Sequence, residues 1–358
     1  MAALQYYPAD NSHVKYIGRT LFQDNILWLA LSGSGIEFDF HGKHLELLLQ
    51  GDDNATSENR PEPDKARIAV LIDGIRVIDD MLTASEKYYS LIDSAAPYTY
   101  HIHIIKLSES PMSIVGIRQL ITDKDAVLTP AQKQSRLLEF IGDSITCGYG
   151  VDDSNMEHTF STATEDVTKT YAYLTAQALH ADYSMVSYSG YGIISGYTES
   201  DEKLASQLVP PLYPIIGFSR GTFHQESITE KNWNFADYRP DLIVLNLGTN
   251  DDSYCQDKKD RQEEFAASYQ KFLTDIRRLN PDAVILCTYG IMNQRLFPYI
   301  EQAVAAYKNR TNDEKIYSMR FDLHQESDGY VVDFHPSPRT HHKSAWALVQ
   351  KIKEIMNW

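Results

Sequence analysis

The hydrophobic period of this chain changes once, near residue 137, and that change constrains the fold more than any other feature. Up to about residue 125 the apolar residues fall in short or alternating runs, at 26–31, 36–40, 44–49, 67–72, 100–105 and 113–117. Gly33-Ser34-Gly35, Asp73-Gly74 and the polar stretch 51–64 separate them, with Pro61 and Pro63 marking the longest loop. Many short strands with hardly a helical period predict a β-sandwich, specifically a jelly roll. After residue 137 strands alternate with helices. Strands are predicted at 138–141, 183–188, 241–247, 283–287 and 315–321. Helices are predicted at 167–179, with Val167, Tyr171, Leu174 and Ala178 on one face, and at 265–279, 295–309 and 343–356. Pro298 then belongs in a first helical turn, and Leu348, Val349 and Ile352 point inward. Such alternation predicts a doubly wound α/β sheet. The polar stretch 129–135, containing Pro130, divides the chain into a β-sandwich over 1–130 and an α/β domain over 131–358. A chain of 358 residues is long for one core, in keeping with two domains.

The chemistry concentrates where strands end. The run Leu138-Glu139-Phe140-Ile141 stops abruptly in Gly142-Asp143-Ser144, which leaves a serine at the carboxyl edge of a buried strand. Ligands of open parallel sheets bind at that edge, and Gly142 lacks the Cβ that would block a sharp turn. Taken alone, the triplet also reads as a turn whose Asp or Ser caps the next helix. The next two strands end in Ser189-Gly190-Tyr191-Gly192 and Leu247-Gly248-Thr249-Asn250-Asp251. With the strands parallel, the N–H groups of Ser144 and Gly190 and the amide of Asn250 converge as oxyanion donors. Each of these residues also has a plain turn or cap reading. Asp333-Phe334-His335-Pro336 precedes the closing helix. His335, one of twelve histidines, is the candidate base that takes the serine proton, while His341 and His342 belong to the approach to that helix.

Gly142-Asp143-Ser144, Gly190, Asn250 and His335 resemble, in order, the four blocks of the SGNH (GDSL) hydrolases. The β-rich first part, ahead of Gly142-Asp143-Ser144-Ile145-Thr146-Cys147-Gly148-Tyr149-Gly150, resembles carbohydrate esterase family 2. Members of that family join a jelly roll to an SGNH domain and deacetylate sugars and xylan. The resemblance implies a serine esterase, acetyl xylan esterase-like, that removes O-acetyl groups from xylan or oligosaccharides through an acetyl-enzyme. It implies Ser144 as nucleophile, His335 as base, an oxyanion hole of Ser144, Gly190 and Asn250, and no metal or organic cofactor. The family pattern has an aspartate three residues before the histidine, where this chain has Val332. Asp333, two before, is the candidate third member, since residues two apart share a face of an extended segment. A backbone carbonyl in its place would make a Ser-His dyad, and Asp328 is a further candidate.

Other readings compete. The nearest is a lipase or thioesterase on the same scaffold. A metal-dependent phosphoesterase would use Asp143, Asn250, Asp333 and His335 as ligands but leaves Ser144 idle. A carbohydrate-binding protein leaves the four ordered blocks unexplained. The insert over 193–238 is the expected source of substrate contacts. Tyr191 and Trp233 are the candidate sugar-packing rings, although Trp233 also reads as core. Cys147 reads as a packed small residue.

The net charge of −16 argues against nucleic acid and anionic membranes as partners. No apolar run reaches the roughly 20 residues of a membrane helix. The N-terminal residues lack the pattern of a signal peptide, and three scattered cysteines suit a reducing compartment. The expectation is a cytoplasmic enzyme, or a secreted one whose leader has been removed.

Overall fold

The computed structural model describes residues 4–59 and 64–358, so Pro61 and Pro63 lie outside the described residues. The chain forms two compact units.

The first unit comprises residues 1–133 with two later pieces, 161–165 and 215–232. Its strands are β1 (Leu4–Tyr7), β2 (Lys15–Ile17), β3 (Thr20–Gln23), β4 (Ile26–Leu29), β5 (Gly35–Gly51), β6 (Arg67–Ile72), β7 (Ile75–Met81), β8 (Glu86–Lys106), β9 (Val115–Asp123) and β10 (Val127–Pro130). All pair antiparallel, in the order β3-β4-β9-β5-β8-β6-β7, with β1 added on β9 and β2 and β10 on β5. The runs 36–40 and 44–49, predicted as separate strands, are one strand, β5. Its register with β8 shifts between Gly42 and His44. At that shift, where two steps along β5 face five along β8, the inward positions change from Ile36, Phe38 and Phe40 to Leu45, Leu47 and Leu49, so all six enter one core. Pro130, expected in a linker, ends β10 opposite Phe38. A strand terminus tolerates its missing N–H.

Part of the long insert also belongs to this unit. Ile228 packs with Ile26, Trp28, Ala30 and Ile114, and Phe223 meets the Trp28 ring at 4.9 Å. Residues 215–232 of the insert therefore bury apolar surface here.

The second unit holds β11 (Leu137–Gly142), α1 (Ser144–Cys147), α2 (Tyr171–Ala178), β12 (Asp182–Ser187), β13 (Leu242–Asn246), α3 (Thr249–Cys255), α4 (Lys259–Leu279), β14 (Val284–Ile291), α5 (Phe297–Thr311), β15 (Ile316–Leu323) and α6 (Pro338–Met356). Its five strands are parallel, in the order β12-β11-β13-β14-β15. The winding reverses at β11, so the crevice that receives ligands in such sheets opens beside the end of this strand. Gly142 is level with Ser187 on one side and Asn246 on the other. Three loops thus leave the sheet together.

Three helices differ from expectation. The run 167–179 is not one helix. A 3-10 turn over Val167–Lys169 stops at Thr170, whose hydroxyl caps α2 by accepting from the Tyr173 N–H at 3.3 Å. The restart shifts the buried face to Tyr171, Ala172, Thr175 and Ala176, leaving Ala178 exposed. α4 begins at Lys259, six residues before its apolar stripe, because its first turn is polar and solvated. α6 begins at Pro338, where the Ser337 hydroxyl accepts from the Thr340 N–H and proline occupies the first turn. His341 and His342 consequently lie inside α6. The buried His341 accepts the Tyr171 N–H at 3.1 Å.

Candidate active site

The loop that carries Ser144 follows from local geometry. The Asp143 carboxylate accepts the Ile145 N–H at 3.1 Å and caps α1, so Ser144 opens a single helical turn at the strand end. A Cβ on Gly142 would lie 2.1 Å from Thr146 Oγ1, so only glycine lets the chain fold back this tightly. Ser144 is buried but for 6% of its surface.

Ser144 Oγ and His335 Nε2 lie 2.8 Å apart. The opposite nitrogen, His335 Nδ1, faces the Val332 carbonyl at 3.2 Å. Donation to that carbonyl places the ring proton on Nδ1 and leaves the Nε2 lone pair toward serine. Burial pushes the His335 pKa down to about 4, against smaller upward effects from the Val332 carbonyl and Asp333. The imidazole is therefore neutral, and able to accept a proton, throughout the neutral range.

Asp333 is not the third member of a triad. Asp333 and Phe334 both adopt left-handed backbone, with φ of 50° and 59°. The segment is a tight turn rather than extended chain, so the shared face expected of residues two apart does not exist. The exposed carboxylate of Asp333 instead accepts the Tyr149 hydroxyl at 2.7 Å. The same turn leaves the Phe334 ring 58% exposed beside the histidine. Asp328 is also elsewhere engaged, with Arg339 at 3.1 Å and Lys343 at 2.6 Å.

The Asn250 side chain donates one N–H to the Tyr191 carbonyl at 2.8 Å. That bond fixes which end of the amide is nitrogen and leaves its second N–H to donate. The N–H groups of Ser144 and Gly190 have no partner among the described residues. Gly190 has φ of 81°, the left-handed region that glycine enters without cost. Its loop is tied down by a residue the sequence did not single out. The buried Asp251 carboxylate accepts the N–H groups of Ile193 at 2.9 Å, Ile194 at 2.6 Å and Ser195 at 3.1 Å. Burial raises the Asp251 pKa to about 6 and that of Asp143 to about 7.

Tyr191 is 6% exposed and contributes its carbonyl, not a sugar-facing ring. Trp233 is half-buried, with its N–H on the Pro214 carbonyl. No hydrogen bond or ring contact of Ser144, His335 or Asn250 involves it. Cys147 is buried and its thiol donates to Ser187 Oγ at 3.2 Å, a packing role as expected. Among the described residues no group of three or more His, Cys, Asp or Glu side chains is disposed to hold a metal ion. Asp143 and Asp333 in particular are separately engaged. Nor is any helix there long and apolar enough to cross a membrane.

The profile of the GDSL-like lipase/acylhydrolase family matches residues 140–343, the stretch that carries all four blocks. The chain belongs to this family. In the same GDSL-like chain, the profile of the carbohydrate esterase 2 N-terminal domain matches residues 16–131. The cellulase/esterase CelE of Acetivibrio thermocellus is 29% identical over 355 residues, covering 98% of this chain and 40% of that protein. The chain thus spans less than half of that relative's length. An acetylxylan esterase / glucomannan deacetylase of Cellvibrio japonicus is 24% identical over 360 residues, covering 100% of this chain and 93% of that one. A family two carbohydrate esterase from Clostridium thermocellum, solved in complex with cellohexaose, superposes with a TM-score of 0.81 at 28% identity, covering 96% of this chain and 99% of that one.

Proposed function

We propose that this GDSL-like chain is a serine esterase that removes O-acetyl groups from acetylated xylan or related oligosaccharides. The observation that carries the chemistry is the 2.8 Å approach of Ser144 Oγ to His335 Nε2, with Nδ1 held on a backbone carbonyl. The substrate class rests on the activity named for the Cellvibrio japonicus relative.

In this reading Nε2 takes the hydroxyl proton as Ser144 Oγ attacks the acetyl carbonyl. The N–H groups of Ser144 and Gly190 and the free N–H of Asn250 receive the oxyanion. The imidazolium then protonates the departing sugar oxygen, leaving an acetyl-serine. Water, deprotonated by the same nitrogen, attacks that ester and releases acetate. The Val332 carbonyl holds the tautomer, so the machinery is a Ser-His dyad. No step calls for a cofactor, and the partner is an acetylated carbohydrate rather than nucleic acid or membrane.

The test is acetate release from acetylated xylo-oligosaccharides by wild type and Ser144→Ala, each with and without EDTA. Chelator-resistant release that vanishes in the variant supports the assignment. Release that survives in Ser144→Ala refutes the chemistry. Hydrolysis of octanoyl but not acetyl esters would move the function to a lipase on the same scaffold.

A further inference from the structure

We propose that Tyr149 is the positioning residue for the His335 imidazole, tethered for that purpose by Asp333. The proposal rests on the assignment of Ser144 and His335 made above.

The Tyr149 ring is held between two others. Phe160 stacks on one face, with centroids 3.8 Å apart and planes 10° from parallel. His335 stacks on the other at 4.2 Å and 24°. The hydroxyl donates to Asp333 Oδ2 at 2.7 Å, which fixes the ring's rotation in its own plane. His335 needs such a support. Its bond to the Val332 carbonyl, at 3.2 Å, is at the long end of the N–H···O range and fixes the tautomer more firmly than the ring plane. A stacked face fixes the plane. The stack also bears on the charge that develops during reaction. When Nε2 takes the serine proton, the imidazolium lies against a tyrosine face, a favourable cation–π arrangement. The Asp333 anion stands one hydrogen bond beyond. It favours the charged ring, whereas His324 and His341 disfavour it. The Asp333 carboxylate thus makes no bond to Nδ1, and beside the direct effect of its charge and backbone carbonyl it acts on the histidine through Tyr149.

The experiment measures kcat, KM and the acid limb of the pH profile. It compares wild type, Tyr149→Phe, Tyr149→Ala, Asp333→Ala and the double variant Tyr149→Phe/Asp333→Ala, with Ser144→Ala as the blank. Tyr149→Phe keeps the stack and cuts the tether, so kcat falls roughly three- to tenfold at unchanged KM. Asp333→Ala removes the acceptor and the charge, so kcat falls similarly and the acid limb moves lower. The double variant is no slower than the slower single one, because both changes remove one bond. Tyr149→Ala lowers kcat about 10²-fold and moves the acid limb up toward an ordinary histidine, as water reaches the ring. Wild-type kcat and acid limb in Tyr149→Ala would overturn the proposal. So would a loss of 10³-fold or more in Asp333→Ala beside an unchanged Tyr149→Phe, which would put the carboxylate directly on His335. Turnover that survives Ser144→Ala would strike at the underlying assignment instead, and the proposal would fall with it.

Discussion

Lowering the pH tests the environment of His335 directly. The ring is desolvated by its burial and its pKa is pushed down to about 4. At pH 5.5 a base with that pKa is roughly 97% neutral, against roughly 9% for an ordinary histidine at 6.5. The structure therefore predicts about tenfold more activity at pH 5.5 than an unperturbed histidine would allow. The assay is kcat/KM for a soluble acetyl ester, which reports the free enzyme, measured from about pH 4 to pH 8. A melting curve at each pH separates loss of the base from loss of the fold. The separation matters because His335, His103 and His341 all have folded pKa values below 6.5, the last two at about 4 and about 3. Their contribution to stability is complete above pH 6.5 and is lost as the pH falls toward those lower values. Activity should fall near pH 4–5 in a protein that is still folded. An acid limb at 6.5 or above, in folded protein, would refute the desolvation argument and with it the packing of the ring.

Asn250→Ala should lower kcat by about 10²–10³ with little change in KM. It should also cost about 1–2 kcal/mol of stability, because the Tyr191 carbonyl loses its donor. Wild-type kcat would remove the amide from the mechanism. Gly190→Ala has room, the nearest atom being Gln207 Oε1 at 3.5 Å, so its cost is torsional. About 1–2 kcal/mol is expected at a φ of 81°, together with a lower kcat as the N–H turns away. A calorimetric scan and a turnover assay check both parts. Asp143→Asn keeps an acceptor for the Ile145 N–H and removes a buried acid whose pKa is about 7. Because that folded value lies above the unfolded one near 3.8, the native state loses stability as the pH rises from 3.8 to 7. The variant's stability gain should therefore be roughly 2–3 kcal/mol larger at pH 8 than at pH 5. An equal gain at both would show that Asp143 is ionised in the fold.

Much of the site was legible because strand ends are a sequence property. Runs such as 138–141 and 241–247 are apolar throughout, as strands buried on both faces are. Their alternation with helices makes them parallel, so whatever follows each run collects at one edge. Gly142-Asp143-Ser144, Gly190 and Asn250 follow such runs, and His335 follows the last strand of the sheet. Asp333 was misread because spacing assigns a face only once the backbone conformation is known, and two consecutive left-handed residues reverse the inference. Tyr191 was misread for a related reason, since its carbonyl matters and its ring is core. Tyr149 and Asp251 went unnoticed. One acts through stacking on Phe160 and His335, the other through three N–H groups on a loop some 57 positions away, and neither leaves a periodic trace.

The sequence by itself determined the alternation of strands and helices in the second half and the two textures of the chain, because burial period and turn chemistry are local. It also determined the chemical types at the strand ends. Tertiary structure alone decided three things. The register shift between β5 and β8 after Gly42 keeps two runs of opposite parity in one core, which depends on pairing and not on local sequence. The insert divides, with residues 215–232 drawn to the Trp28 cluster by apolar surface that lies far away in sequence. The partner of His335 Nδ1 is a carbonyl and not a carboxylate, because the chain between them turns where spacing alone would have it extended.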